Sequence, residues 1–316
     1  MIHARTQRMI TAMGLLVLAS SRAVAAEFVT LDELLAGWGT DLNQVDMQID
    51  TLEPGLHVIR GAGGATLASI GADGVLLVDD QYDAVVERLA SAVASLGGGA
   101  IDIVINTHAH FDHADGNPKL GAAGAQIIAH RNARERMTLG AVLDYGAKRY
   151  RQPAYPANGL PTVTFDDNMT LHFNKQTIEL MYLGDGHTNG DVSVWFREAN
   201  VVHVGDLYVS PWPYIDAANG GDLGSYVSTV KSLAARISAD TRVVSGHRPD
   251  ITRDDLLEFA DRLHVVHGRL QAMAERGLTI QEVIADDPTA DLIDADVPPV
   301  LFLSLAYQTV QEHSAR

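Results

Sequence analysis

Between Asn106 and Asn117 the chain reads NTHAHFDHADGN, which places three histidines and two aspartates in the eight positions from His108 to Asp115. Only 13 of the 316 residues are histidine, so this density calls for a cause. Imidazole nitrogens and carboxylate oxygens are ligands for divalent cations such as zinc, iron and manganese. His108 and His110 lie two apart after the apolar run Ile101–Ile105, and on an extended segment that spacing turns both imidazoles to one side. Asp112 and His113 follow a turn, so they can approach the same centre from a second direction. Four ligand types packed this closely suit two cations a few ångströms apart. The bland alternative is a polar loop, but crowding imidazoles together without a ligand is costly.

Two such cations need further ligands, and three later places fit. His187 stands in LGDGHTNGD, Asp206 in HVGDL and His247 in VSGHRP. Each has the same local order of a strand-like run, a glycine that allows a sharp turn or close backbone approach, and one ligand.

The elements that must position these residues follow from periodicity. Val45 to Asp80 is strand-rich, with Asp73-Gly74 as a hairpin signal. Ala84 to Leu96 carries apolar residues at helical spacing and ends in three glycines. Pro118 to Gly121 suits a short helix, Gln126 to His130 a strand and Asn132 to Gly140 a helix. Pro153 to Pro161 is a proline-containing loop long enough for a flap. Strands are expected at Met169–Phe173, Thr177–Leu183, Val192–Arg197, Val201–Val204 and Arg242–Ser245. Helices are expected at Leu223–Ile237 and Thr252–Arg276. Thr252 with Asp255, and Thr279 with Glu282, have capping-box spacing. Strands, then mixed βα units, then strands again suggest two packed sheets with helices outside, in one domain, rather than a doubly wound parallel sheet. No Gly-x-Gly-x-x-Gly follows an early strand, which argues against a dinucleotide site.

A hydrophobic share of 47% and a charged share of 20% are those of a globular chain. The net charge of −17 disfavours nucleic acid and anionic membranes as partners, leaving a small-molecule substrate. There is no cysteine, which removes thiol nucleophiles, thiolate ligands and disulfides. Residues 1–25 read as a signal peptide, with Arg5 and Arg8, an apolar run from Met9 to Ala19, and Ala23-Val24-Ala25 before the cleavage point. The mature chain, 26–316, is then a periplasmic or secreted single domain with C-terminal helices and no membrane anchor.

Taken together, His-x-His-x-Asp-His, Gly-x-His-Thr-x-Gly-Asp, Gly-Asp and Gly-His, in this order over about Asp50 to Asp250, resemble the metallo-β-lactamase-fold hydrolases. That superfamily includes glyoxalase II, lactonases and β-lactamases. The resemblance implies an α/β (α+β) chain folded as an αββα sandwich of two mixed sheets flanked by helices. It implies one metal on His108, His110 and His187, a second on Asp112, His113 and His247, and Asp206 bridging them. Asp79 and Asp191 match positions that orient ligand histidines. The other histidines, among them His57, His130, His172, His203, His264 and His267, are expected to be structural.

The implied cofactor is two Zn2+, with iron or manganese as alternatives. The implied reaction is hydrolysis of an amide, ester, thioester or lactone by a metal-bound hydroxide, with Asp112 handling the proton. Two β-lactamase subclasses use a cysteine ligand that this chain lacks, and the cysteine-free subclass generally lacks a carboxylate like Asp206. A mononuclear iron enzyme resembling the persulfide dioxygenases, or a non-hydrolytic metal protein of a periplasmic oxidation system, is the competing reading. Substrate contacts are expected from Tyr208, Trp212 and Tyr214, just after Asp206, and from a flap at Gly61–Thr66.

Overall fold

The computed structural model describes residues 26–248, 251–293 and 298–314. The expected signal peptide, 1–25, lies outside them. The chain begins with strand β1 (Glu27–Val29) and helix α1 (Leu31–Gly37), whose capping box joins Thr30 and Glu33. Four strands follow: β2 (Gln48–Glu53), β3 (Leu56–Arg60), β4 (Thr66–Gly71) and β5 (Gly74–Val78). Next come α2 (Val86–Ser95), β6 (Ile103–Ile105), the short helices α3 (Phe111–Ala114) and α4 (Asn117–Ala122), β7 (Gln126–His130) and α5 (Arg131–Leu139). A hairpin of β8 (Ala141–Tyr145) and β9 (Lys148–Gln152) leads to β10 (Val163–Phe165). The second half holds β11 (Asn168–Phe173), β12 (Gln176–Tyr182), β13 (Val192–Phe196), β14 (Val201–His203), α6 (Leu223–Arg236) and β15 (Arg242–Val244). It closes with α7 (Arg253–Glu275), α8 (Ile280–Asp286) and α9 (Val300–Ser314).

Two large sheets face each other. One has the order β10-β7-β6-β5-β4-β3-β2 and the other β11-β12-β13-β14-β15. The period of two along each strand sorts residues between layers. Leu76 and Val78 of β5 meet Ile178, Leu180, Val194 and Phe196 between the sheets. Val75 and Leu77, their alternates, turn outward to Leu89 and Val93 of α2. On the far side, Trp195 and Val243 face a helical layer carrying Tyr226 of α6, Phe259 and Leu263 of α7, and Leu303 and Tyr307 of α9. The result is an αββα sandwich.

A third sheet, β1-β9-β8, was not anticipated. Its hairpin falls in a stretch, 141–152, where charged residues interrupt alternation. Its apolar positions Ala141, Leu143 and Tyr150 close over Leu34, Leu35 and Phe111, so tertiary packing rather than local pattern makes it. The expected flap at Pro153–Pro161 is instead fastened down. Asn158 Nδ2 donates to Pro118 O at 2.6 Å, Tyr155 Oη donates to Asp115 Oδ1 at 2.7 Å, and Gly159 packs on Pro118. Gly61–Thr66 is no flap either. Gly64 N donates to Asp112 O and Ala65 N to Gly246 O, each at 2.8 Å, so this turn is the floor beneath the ligands.

The C-terminal helix is part of the core. Leu303 is fully buried, and Leu303→Ala is expected to cost about 2–5 kcal/mol in urea denaturation. A loss below about 0.5 kcal/mol, typical of a surface change, would show that α9 is not integral to the outer layer.

Candidate metal centre

The motif emerges from the C-terminal end of β6. His110 is extended (φ −70°, ψ 147°) and caps α3, whose first turn carries Asp112 and His113. His187 follows β12, Asp206 follows β14 and His247 follows β15, so all seven expected ligands collect at one end of the two sheets. The ligand atoms form three overlapping groups: His108, His110 and His187; His108, His113 and Asp206; and Asp112, His113 and His247. Within each, the atoms lie within 4.8 Å of one another. Asp206 is central, with Oδ1 3.2 Å from His113 Nε2 and Oδ2 3.2 Å from His247 Nε2 and 3.6 Å from His187 Nε2.

The outer hydrogen bonds of four histidines fix which nitrogen carries the proton. His110 Nε2 donates to Asp216 Oδ2 at 2.9 Å, leaving Nδ1 to face inward. His187 Nδ1 donates to Tyr214 O at 2.7 Å, leaving Nε2 bare. The two inward nitrogens stand 2.8 Å apart, and without metal a proton bridges them, because the Asp216 carboxylate outweighs burial and raises His110. His113 Nδ1 donates to Asp79 Oδ2 at 2.7 Å, so its Nε2 faces the Asp206 carboxylate and His247 Nε2, 3.3 Å away. Thr107 Oγ1 donates to Asp79 Oδ2 at 2.8 Å, so it can only accept from His108 Nδ1, 3.0 Å away. His108 Nε2 is thereby aimed inward, buried and without a hydrogen-bond partner among the described residues. Acceptors buried against acceptors repel unless a cation or protons lie between them, so the donor set fits divalent metal.

Electrostatics agree. Burial holds His108 well below the usual histidine range and brings His187 down to about 4, so both are neutral ligands. Burial also opposes the charging of His113 and His247, yet the surrounding carboxylates win. Asp206 and Asp112 hold His113 well up and lift His247 to about 10. Burial would raise Asp112, but His113 and His247 bring it to about 2. The site without metal therefore fills with protons that a cation must displace.

Close approach demands missing side chains at two points. A Cβ on Gly64 would lie 2.3 Å from His113 Cε1, and one on Gly246 would lie 2.5 Å from Asp206 Oδ1. Asp79 carries local strain of its own. It ends β5 with φ 62°, and this conformation brings its carboxylate to Thr107 N at 2.7 Å as well as to Thr107 Oγ1 and His113.

Asp79 thus orients a ligand histidine directly. Asp191 does not touch one; it accepts from Thr188 N and, at 2.6 Å, from Thr188 Oγ1, pinning the turn that carries His187. The carboxylate overlooked in the sequence is Asp216, held by two 2.7 Å bonds from Asn219 Nδ2. Its signal was a lone acid in the otherwise apolar run Tyr214-Ile215-Asp216-Ala217-Ala218. Of the three expected substrate contacts, only Tyr214 reaches the centre, its ring 5.9 Å from His110 and 5.8 Å from His187. Tyr208 is buried against Phe259, and Trp212 stacks on Phe302 at 4.9 Å. Burying two large rings against α7 and α9 outweighs presenting them to solvent. Among the remaining histidines, His203 Nε2 bonds Ala65 O and His130 Nε2 bonds Asp166 O, both structural roles.

Fold and cluster together describe an αββα protein with a buried group of histidines and carboxylates that could hold divalent metal. The family model described as the metallo-β-lactamase superfamily matches residues 64–247, more than half of the chain. The chain belongs to that superfamily. It is 29% identical over 175 residues to a hydroxyacylglutathione hydrolase from Rhodospirillum rubrum, a match covering 52% of this chain and 56% of that protein. It is 28% identical over 199 residues to a metallo-β-lactamase type 2 from Bacillus cereus, covering 60% of this chain and 69% of that one. The chain therefore spans little more than half the length of the first of these relatives. Among solved structures, a metallo-β-lactamase from Pontibacter korlensis superposes with a TM-score of 0.57 at 18% identity, covering 69% of this chain and 99% of that one. At that identity the likeness speaks for the fold alone.

Three outcomes follow. Asp216→Ala is expected to weaken the metal on His110 and His187 by about 10–100-fold, and Asp79→Ala to do so for the metal on His113. Competition with a chromophoric chelator reads both, and unchanged affinity would refute the orienting roles. Gly64→Ala should strip metal and destabilise the fold by about 1–3 kcal/mol, because His113 must move. Asp115, behind the ligands, is raised by burial to about 7. A carboxyl whose folded pKa is raised loses stability as pH climbs from its unfolded value near 4 to about 7. Metal-free Asp115→Asn should therefore gain on the wild type across that window, then keep a constant lead above it. A lead independent of pH would contradict the buried acid.

Proposed function

We propose that the chain is an exported dinuclear zinc hydrolase that opens an amide, ester, thioester or lactone bond in a small molecule. One observation carries this reading: the inward nitrogens of His108, His110, His113 and His187 gather with Asp112, Asp206 and His247 in three overlapping groups, enough for two cations. A single iron would leave Asp112, His113 and His247, or else His110 and His187, facing one another without a cation. His108, His110 and His187 would hold one zinc, and Asp112, His113 and His247 the other, with Asp206 between. When bound, the pair supplies a Lewis acid for the carbonyl and an acidified water.

The chain's own groups do the rest. Asp216, Tyr214 O, Thr107 and Asp79 hold the imidazoles in tautomers that cannot swing away. Asp112 sits toward the open side, its side chain 17% exposed and kept ionised by His113 and His247. Its carboxylate is placed to take a proton from the attacking water and pass it to the leaving atom. His247, 31% exposed at its side chain, is the ligand nearest solvent.

Elemental analysis should find about two zinc per chain, with hydrolysis of a β-lactam, lactone or thioester panel lost to chelator and restored by zinc. Asp112→Asn should lower kcat by about 10²–10⁴-fold. One iron per chain with oxygen uptake, or zinc-loaded protein inert on the whole panel, would overturn the reading. Export is tested by the mass of the periplasmic form, expected to start at Ala26.

A further inference from the structure

Strand β9 and the turn after it touch the metal motif at three points. The motif changes course between His108 and Asp115: it is extended at His110 and then turns into α3, which carries Asp112 and His113. Gln152 Nε2 donates at 2.7 Å to Ala109 O, the carbonyl of the residue between the first two ligands. The ring of Tyr150 meets Phe111, the first residue of α3, edge-on at 5.1 Å. Tyr155 Oη donates to Oδ1 of Asp115, the residue that ends α3, at 2.7 Å. Gln152 Nε2 also reaches Tyr155 Oη at 3.4 Å. A chain of side-chain hydrogen bonds therefore runs from Ala109 through Gln152 and Tyr155 to Asp115, bracing the bend.

The brace is itself anchored. Tyr155 N donates to Met137 O at 2.8 Å, and Gln152 pairs with Ala141 of β8. Gly140, with φ 73°, lets the end of α5 pass so close that a Cβ there would lie 2.8 Å from Gln152 O and 2.9 Å from Ala154 N.

Packing alone does not explain Gln152. It is 3% exposed, and its Oε1 is buried with no hydrogen-bond partner among the described residues. An apolar side chain of similar length would fill the space without an unpaired oxygen. What the amide supplies instead is an N–H for Ala109 O, and that bond fixes the peptide that leads into His110.

We propose that Gln152 and Tyr155 are positioning residues that act on different metals. Gln152 holds the extended arm, and with it His108 and His110, for the metal shared with His187. Tyr155 holds the end of α3, and with it Asp112 and His113, for the metal shared with His247. The inference rests on the two-metal reading above and on no particular reaction.

The test is titration of the metal-free, nitrogen-15-labelled protein with chelator-buffered zinc, followed by long-range proton–nitrogen correlation spectra. His110 and His187 report one metal, and His113 and His247 report the other. Gln152→Met should weaken the first metal by about tenfold relative to the second. Tyr155→Phe should do the reverse, weakening the second by about tenfold relative to the first. Urea denaturation of the metal-free forms shows that each variant folds, with Gln152→Leu in reserve should the methionine form fail. General loosening of the fold would not choose between the metals. Equal weakening of both metals in these variants, or no weakening, therefore overturns the brace and leaves the two-metal reading standing. Uptake of a single zinc by the wild type overturns both.

Discussion

The structure depends on one electrostatic conflict, the convergence of imidazole nitrogens and carboxylates in a largely buried space. His110 Nδ1 and His187 Nε2 stand 2.8 Å apart, and His113 Nε2 faces Asp206 at 3.2 Å. No apolar packing makes such an arrangement favourable by itself. It persists because the imidazoles of His108, His110, His113 and His187 are each clamped from behind by an outward hydrogen bond. A folded chain that enforces this geometry is organised around positive charge at its centre, whether protons or metal.

Much of the architecture can be read as the scaffold for those clamps. The sheet ends deliver the ligands, and glycines at 64 and 246 let backbone pass where a methyl group would strike a ligand. The clamps come from three separate segments: the residue after β5 for Asp79, the residue before His108 for Thr107, and the loop after Asp206 for Tyr214 and Asp216. Because Asn219 joins Asp216 to the β8 backbone, the accessory sheet is mechanically part of the centre rather than an ornament on it. The helical layer of α6 to α9 serves from further away, with Tyr226 of α6 donating to the Asp206 carbonyl.

The cluster of candidate ligands that the structure brings together was legible because it is made of rare side chains at strand ends with glycine punctuation. The alternation of apolar residues likewise revealed the strands of both large sheets, except the three-residue edge strand β10. What stayed hidden was decided by tertiary contact. The β8–β9 hairpin has a mixed, charged sequence whose pairing follows from packing on Phe111 and Leu35. Tyr208 and Trp212 sit next to a ligand in sequence yet turn to the helices, because proximity along the chain does not set the direction of a side chain. Asp216 carries no motif, and only the fold brings it to His110, 106 positions earlier in the chain.

The central claim is that four histidines are locked in specified tautomers by their outer bonds, so that their inward lone pairs meet metal. Long-range proton–nitrogen correlation spectra of the nitrogen-15-labelled, zinc-loaded protein read this directly. The account predicts His110 with its proton on Nε2, and His108, His113 and His187 with theirs on Nδ1. A His110 protonated on Nδ1, or imidazolium signals for these residues with zinc bound, would contradict it.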